Sequence, residues 1–151
     1  MSGLLAAAAP GPASSGDEAA SGWNGDGDIS LPGEVYEVRT LGAWRDGNRA
    51  GTYRVVTLRG GYDRVQTVVV VQWMAQELDQ EAPSVVAARR VELLDDLGPI
   101  TVAAVQATEA PNELKVSIRV RNTVSREEGE VHAVAGLPGQ LTAEYAPTSR
   151  R

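Results

Sequence analysis

Four consecutive valines, Val68 to Val71, constrain the fold more strongly than any other feature of this sequence. Valine is branched at Cβ, which restricts its χ1 angle and favours the extended backbone of a β-strand. Successive side chains of a strand point to opposite faces, so the segment 64–74 (RVQTVVVVQWM) carries apolar side chains on both faces. We therefore expect this strand to lie inside a sheet and to be covered on both sides.

Alternation of apolar and polar residues predicts a chain of strands from Glu34 onward. The predicted strands are 34–41, 52–59, 64–74, 99–109, 113–124, 130–136 and 140–146. Turn residues separate them, with a polar loop at 45–51, Gly60-Gly61, a turn at 110–112 and LPG at 137–139. In 113–124 the residues predicted to point inward are Leu114, Val116, Ile118 and Val120. The predicted fold class is all-β, with a β-sandwich or jelly-roll-like body and an extended N-terminal arm.

Residues 84–97 (SVVAARRVELLDDL) fit two alternatives. As a helix, the segment would begin at Ser84 and carry an apolar stripe that includes Leu93, Leu94 and Leu97. As a strand, it would begin with its valines. We favour the strand because Arg89 and Arg90 interrupt the apolar stripe of the helix.

Three regions follow from the composition. Residues 1–33 form an arm rich in Ala, Gly, Pro, Ser and Asp, residues 34–146 form the β-sandwich domain, and residues 147–151 form a short tail. The arm contains too little apolar surface to fold alone. Its apolar run from Leu4 to Ala9 is short and has no preceding Lys or Arg, which argues against a secretory signal.

Charge and composition exclude several classes of protein. The formal net charge of −6 disfavours nucleic acid as a partner, since binding to phosphate needs a basic surface. No apolar run approaches the roughly 20 residues that cross a bilayer, so we expect a soluble protein without a membrane partner. The absence of cysteine excludes disulfides and thiolate metal sites.

The stretch GWNGDGDISLPGE (22–34) resembles a calcium-binding loop in part. With Gly27 at the sixth position, Asn24 and Asp26 fall on ligand positions, but positions 1 and 12 are the glycines Gly22 and Gly33. The two strongest anchoring positions therefore have no side-chain oxygen. We interpret this stretch as a turn-rich joint between the arm and the body.

No residue pattern predicts catalysis or a cofactor. His132 is the only histidine and is expected to be a surface strand residue, because it lacks the partners of a catalytic triad or a zinc site. The carboxylate pairs Asp95-Asp96 and Glu127-Glu128 are expected to be solvated. A basic row lies on one face of the strand 113–124 and consists of Lys115, Arg119 and Arg121. Its expected partners are Glu128 and Glu130 on the next strand, or the acidic surface of another subunit.

The arm contains a few apolar side chains that could bind a partner. Trp23 is an isolated aromatic residue among small ones, which is typical of an anchor that enters a pocket on another protein. The predicted partner-binding residues are Leu4, Leu5, Trp23 and Ile29. We expect the arm to bind neighbouring subunits and the body to fold without it, so that deletion of 1–30 leaves the melting temperature of the body nearly unchanged.

The arm MSGLLAAAAPGPASSGDEAASGWNG followed by the valine-rich body 34–146 resembles, in layout, the head decoration (cement) proteins of tailed bacteriophages. This resemblance implies a structural protein of the virion without enzymatic activity. It also implies a homo-oligomer, such as a trimer, with the major capsid protein as partner. The alternatives are a monomeric carbohydrate- or protein-binding β-sandwich in the cytoplasm or secreted, and an enzyme with an unrecognised carboxylate site.

Calcium provides a direct test of the joint at 22–34. We expect millimolar calcium or a chelator to leave the melting temperature unchanged, because the two anchoring positions of the loop are glycines. Thermal unfolding with and without calcium, at matched ionic strength, measures this. A calcium-specific rise in the melting temperature would contradict it.

Overall fold

The computed structural model describes residues 34–61, 65–75, 77 and 79–148. Eight strands form two four-stranded antiparallel sheets, each with its strands in chain order. Sheet A contains β1 (Glu34–Asp46), β2 (Arg49–Gly60), β3 (Gln66–Ala75) and β4 (Ser84–Arg90). A short helix, α1 (Leu93–Asp96), precedes sheet B, which contains β5 (Ile100–Ala110), β6 (Glu113–Asn122), β7 (Glu128–Ala135) and β8 (Leu141–Pro147). The predicted all-β sandwich is confirmed, and within the described part of the chain no helix is long and apolar enough to cross a membrane.

The first hairpin differs from the prediction. The segment 45–51 was predicted as a polar loop, but β1 continues to Asp46 and β2 begins at Arg49. Only Gly47 and Asn48 form the turn, and Gly47 has the positive φ of 60° that such short hairpins require. The prediction was wrong here because cross-strand pairing of Asp46 with Arg49 outweighs the low strand propensity of the polar residues.

Both alternatives for residues 84–97 are present, one after the other. The first half is strand β4, as favoured, and the helix is confined to one turn at Leu93–Asp96. Arg90 donates a hydrogen bond to Asp95 at 2.6 Å, and this bond joins the end of the strand to the helix. Leu94 is buried, so α1 contributes to the core where the chain leaves sheet A.

The main core lies between the two sheets. The predicted inward side of β6 is confirmed, with Leu114, Val116, Ile118 and Val120 all at most 2% exposed. Opposite them are the buried residues of sheet A, among them Trp44, Tyr53 and Trp73. The rings of Tyr53 and Trp73 meet edge to face, with centroids 6.2 Å apart. Large aromatic residues thus fill part of a core that is otherwise built from valine and alanine.

A single carbonyl group, immediately after β7 of sheet B, accepts hydrogen bonds from two buried rings of sheet A. The indole N–H of Trp73 and the hydroxyl of Tyr53 both donate to the Gly136 carbonyl, at 2.9 and 3.0 Å. A second link is formed by the Arg45 amide, which donates to Asn112 Oδ1 at 2.8 Å. These bonds fix the two sheets relative to each other, whereas apolar packing is non-directional.

The buried hydroxyl of Tyr53 predicts a loss of stability at alkaline pH. Burial raises its pKa above 10.0, and the negative charge of Glu113 raises it further. The unfolded chain loses this proton near pH 10 while the folded protein retains it, so this contribution is present below pH 10 and is lost as the pH rises through the raised pKa.

We expect Tyr53→Phe to lower the stability at neutral pH by about 0.5–1.5 kcal/mol, because the hydrogen bond to Gly136 is lost. Above pH 10 the stability of the Tyr53→Phe variant should fall less steeply than that of the unsubstituted protein. Urea unfolding from pH 7 to pH 11 measures both effects, and Tyr145→Phe on the exposed strand β8 is the matched control. Equal losses of stability at alkaline pH in all three proteins would contradict the assignment of this loss to the Tyr53 hydroxyl.

Candidate interaction surfaces

The predicted partner-binding residues Leu4, Leu5, Trp23 and Ile29 lie outside the described residues. The surfaces of the body that could receive a partner are its strand edges, its outer faces and its clefts. The register of the strands determines which residues lie on each of these surfaces.

Three of the four edge strands in the described sheets carry a register shift. Tyr36 is an extra residue in β1, where pairing moves from Val35 to Glu37, and a second shift follows Leu41. Val86 is extra in β4 and Ala103 is extra in β5. A bulge bends and twists an edge, which hinders the addition of another strand. These three edges are therefore poor sites for pairing.

The fourth edge, β8, has no such shift. It pairs with β7 in seven consecutive positions from Gly129–Pro147 to Ala135–Leu141. The Gly136 amide donates to the Gln140 carbonyl and the Thr148 amide donates to the Glu128 carbonyl, so even-numbered residues of β8 bond to β7. Leu141, Ala143 and Tyr145 therefore direct their N–H and C=O groups away from the sheet. Pro147 occupies the next outward position, where a missing N–H costs no bond to β7.

The side chains of β8 are also accessible. All its residues after Leu141 are exposed, although Ala143 and Tyr145 lie on the same face as the buried Val131 and Ala133 of β7. Sheet A therefore does not cover this margin of sheet B. Tyr145 lies over Gly129, where a Cβ atom would overlap the tyrosine ring. The β8 edge thus combines backbone groups that have no partner among the described residues with partly exposed apolar side chains.

The outer face of sheet A forms a second apolar surface. Its central residues constitute a separate buried cluster, with Val56, Val68, Val70 and Ala88 at its core and Leu58 beside them. Valines on the two bordering strands remain exposed, namely Val35, Val38 and Val85. Gln72, on the same face, is buried and accepts a hydrogen bond from Arg54 Nε at 2.6 Å.

The outer face of sheet B is polar, as the sequence predicted. Register places Arg119 opposite Glu130 and Arg121 opposite Glu128, as expected. The expectation was wrong for Lys115, which lies opposite Val134 and has its ammonium 3.6 Å from the carboxylate of Glu113. Glu130 itself contacts Ser117, and its carboxylate lies 3.8 Å from His132 Nε2. His132 is a partly exposed strand residue, as predicted.

A cleft of about 600 Å³ lies between the β1–β2 hairpin and β5. Arg59 stacks on Tyr36, with its guanidinium carbon 3.7 Å from the ring centroid. Arg39 Nε donates to Glu37 Oε1 at 2.6 Å. The charged groups of the cleft thus have partners within it, and Tyr36 remains 60% exposed. Such a site could bind a small polar ligand against the tyrosine ring.

The carboxylate pairs do not converge on a common site. Asp95 accepts a hydrogen bond from Arg90, and Glu127 accepts one from Ser125. Among the described residues, no group of three His, Cys, Asp or Glu side chains could hold a metal ion.

Sequence reasoning missed the β8 edge as a site. It predicted the last strand but not that β8 would keep its register while the other three edges shift. Comparison of the chain with known protein families, with curated proteins and with solved structures finds no match. The function is therefore proposed from the surfaces of the body and the layout of the chain.

Proposed function

We propose that the protein is a structural assembly protein whose subunits join through β8. The observation that carries the proposal is the unbulged β8 edge, with outward N–H groups at Leu141, Ala143 and Tyr145. Natural sheets normally protect such an edge with a bulge, a charge or a covering element. An edge left open in this way is suited to pairing with another strand.

The simplest partner is β8 of a second copy, in antiparallel orientation. A twofold axis at Ala143 places Tyr145 opposite Leu141 and Glu144 opposite Thr142, so that no two like charges face each other. All three outward N–H groups of each chain then find a carbonyl. A twofold axis at Tyr145 forms fewer bonds, because it places Pro147, which has no N–H, opposite Ala143. The register centred on Ala143 is therefore favoured.

Backbone bonds alone would give a weak dimer. Each is worth about 0.5–1.5 kcal/mol net, against an association cost of roughly 4–15 kcal/mol. Burial of Leu141, Ala143 and Tyr145 on the inner face adds the apolar contribution that such a contact needs. The net charge of −6 on each chain opposes association, and salt screens this repulsion. Assembly is thus expected to strengthen with ionic strength.

The proposed location of such an assembly protein is a virion lattice. The resemblance to phage head decoration proteins rests on an arm followed by a β-sandwich, and it supplies the major capsid protein as the proposed partner. Leu4, Leu5, Trp23 and Ile29 remain the proposed partner-binding residues of the arm. Pairing through β8 gives a dimer as the smallest unit, in place of the trimer that the resemblance implies.

A monomeric binding module is the second candidate, supported by the cleft beside Tyr36. An exposed aromatic ring flanked by charged groups is suited to a carbohydrate or a polar peptide. In that case the protein would remain a monomer of 15.9 kDa at all concentrations, as measured by light scattering.

Ala143→Pro is the direct test of assembly through β8. Proline at position 143 removes an outward N–H but no bond to β7, so the fold should persist while association weakens at least tenfold. Analytical ultracentrifugation measures the association and circular dichroism measures the fold. Ala143→Ser, which keeps the N–H group, is the matched control. Unchanged association of Ala143→Pro would refute pairing at this edge.

A cysteine substitution tests the register independently, because the chain contains no cysteine. In the proposed pair the two Cα atoms at position 143 lie about 5.5 Å apart, within the range of a disulfide. Oxidation of Ala143→Cys should therefore give a covalent dimer. The two copies of position 142 would be about 8 Å apart, too far for a disulfide, so Thr142→Cys should remain monomeric under the same conditions. Equal cross-linking of both variants would contradict this register.

A further inference from the structure

Strand β8 is held to the body mainly through its backbone. Each of the other three edge strands in the described sheets contributes a buried side chain, namely Trp44 in β1, Ala88 in β4 and Val102 in β5. Strand β8 contributes none, since Leu141 is half-buried and all residues after it are exposed. Among the described edges, β8 therefore exposes the least buried apolar surface when it separates from its neighbour.

The inner side of β8 borders a cleft. Leu141 and Ala143 line this cleft of about 490 Å³, and its opposite wall runs from Arg89 in β4 to Leu93 in α1. The space between β8 and the end of sheet A is therefore only partly filled by side chains. An element with few buried contacts separates more easily than the rest of a domain, because its local opening needs less free energy than global unfolding.

The turn before β8 is anchored in the core only at its start. The Gly136 carbonyl accepts the hydrogen bonds of Trp73 and Tyr53. Residues 137–140, which follow, are exposed or half-buried. One side-chain bond reaches them from sheet A, donated by Arg89 Nε to a turn carbonyl at 3.1 Å, and it is exposed. Strand β7 is thus fixed as far as Gly136, and a hinge for β8 lies at 137–140.

The edge of β7 that β8 occupies is regular. Strand β7 pairs with β6 without a register shift, and its inward residues Val131, Ala133 and Ala135 are at most 1% exposed. Its even-numbered residues direct their backbone groups toward β8, and its odd-numbered residues direct theirs toward β6. When β8 separates, β7 therefore keeps its bonds to β6 and presents a row of N–H and C=O groups to another strand.

Gly129 makes this edge of β7 best suited to β8 of a second copy. It has no side chain, and the ring of Tyr145 fills the space where a Cβ atom would lie. A strand that pairs here with a tyrosine at the matching position fills the same space. The β8 strand of another copy supplies that tyrosine in the register that β7 already accepts.

We infer that β8 is exchangeable between copies: it separates from its own β7, and β8 of a second copy takes its place in the same register. A reciprocal exchange re-forms the hydrogen bonds between β7 and β8, so its extent depends on protein concentration and on the hinge at 137–140. The contact uses the groups of β8 that face β7, and the proposed assembly uses those that face away. The inference is therefore independent of assembly through the outward edge.

Hydrogen exchange in the full chain tests the separation of β8. The amides of Glu130, His132 and Val134 face β8, whereas those of Val131 and Ala133 face β6. After correction for intrinsic rates, the first group should exchange at least tenfold faster than the second, because separation of β8 exposes only the first. Residue-resolved exchange measured by NMR at neutral pH gives both sets of rates. Equal rates along β7 would overturn the inference.

A mixed cross-link tests the exchange itself. Val134 of β7 and Thr142 of β8 are register partners, with Cα atoms about 5.5 Å apart, within the range of a disulfide. Copies with Val134→Cys alone are mixed with copies with Thr142→Cys alone, at high concentration below the melting temperature, and then oxidised. Exchange should give a covalent dimer that contains one copy of each. Glu144→Cys in place of Thr142→Cys is the matched control, because this diagonal pair lies about 7–8 Å apart.

The mixed cross-link also separates exchange from pairing through the outward edge. In the β8 pair centred on Ala143, position 142 of one copy lies two strands from position 134 of the other, about 10 Å away, too far for a disulfide. A covalent Ala143→Cys dimer without the mixed dimer would overturn exchange and leave edge pairing intact. The mixed dimer without the Ala143→Cys dimer would support exchange and refute edge pairing. Absence of both dimers would overturn both.

Discussion

Strand β3 imposes the main constraint on this structure, because it carries apolar side chains on both faces. Val69, Val71 and Trp73 face the sheet B side, and Val68, Val70 and Met74 face the other side, all of them at most 6% exposed. Sheet B covers the face that carries Val69, Val71 and Trp73. The centre of the other face is buried as well, and its valines form a separate cluster with Ala88.

The core between the sheets combines non-directional and directional interactions. Valine and alanine fill most of it, and such side chains tolerate small sliding movements. Trp73 and Tyr53, which both donate to the Gly136 carbonyl, restrict this sliding. Gly136 immediately follows β7, in the connection that leads to β8. The same contact therefore positions the edge strand that we propose as the site of assembly.

The strand edges differ in how well they suit association with another strand. Register shifts in β1, β4 and β5 leave β8 as the edge best suited to an intermolecular strand. The outer face of sheet A has a buried centre and exposed valines on its bordering strands.

The sequence by itself determined the strands, the inward side of β6 and the cross-strand placement of Arg119 and Arg121, because these depend on period-two alternation within short segments. Alternation also indicated that β3 must be covered on both sides. Only the tertiary structure decided the tight turn at Gly47-Asn48, the division of 84–97 into strand and helix, and the bulges. Each depends on how a strand fits its neighbours, which a local pattern does not encode. The accessible edge of β8 also depends on the tertiary structure, because among the described residues only β7 pairs with this strand.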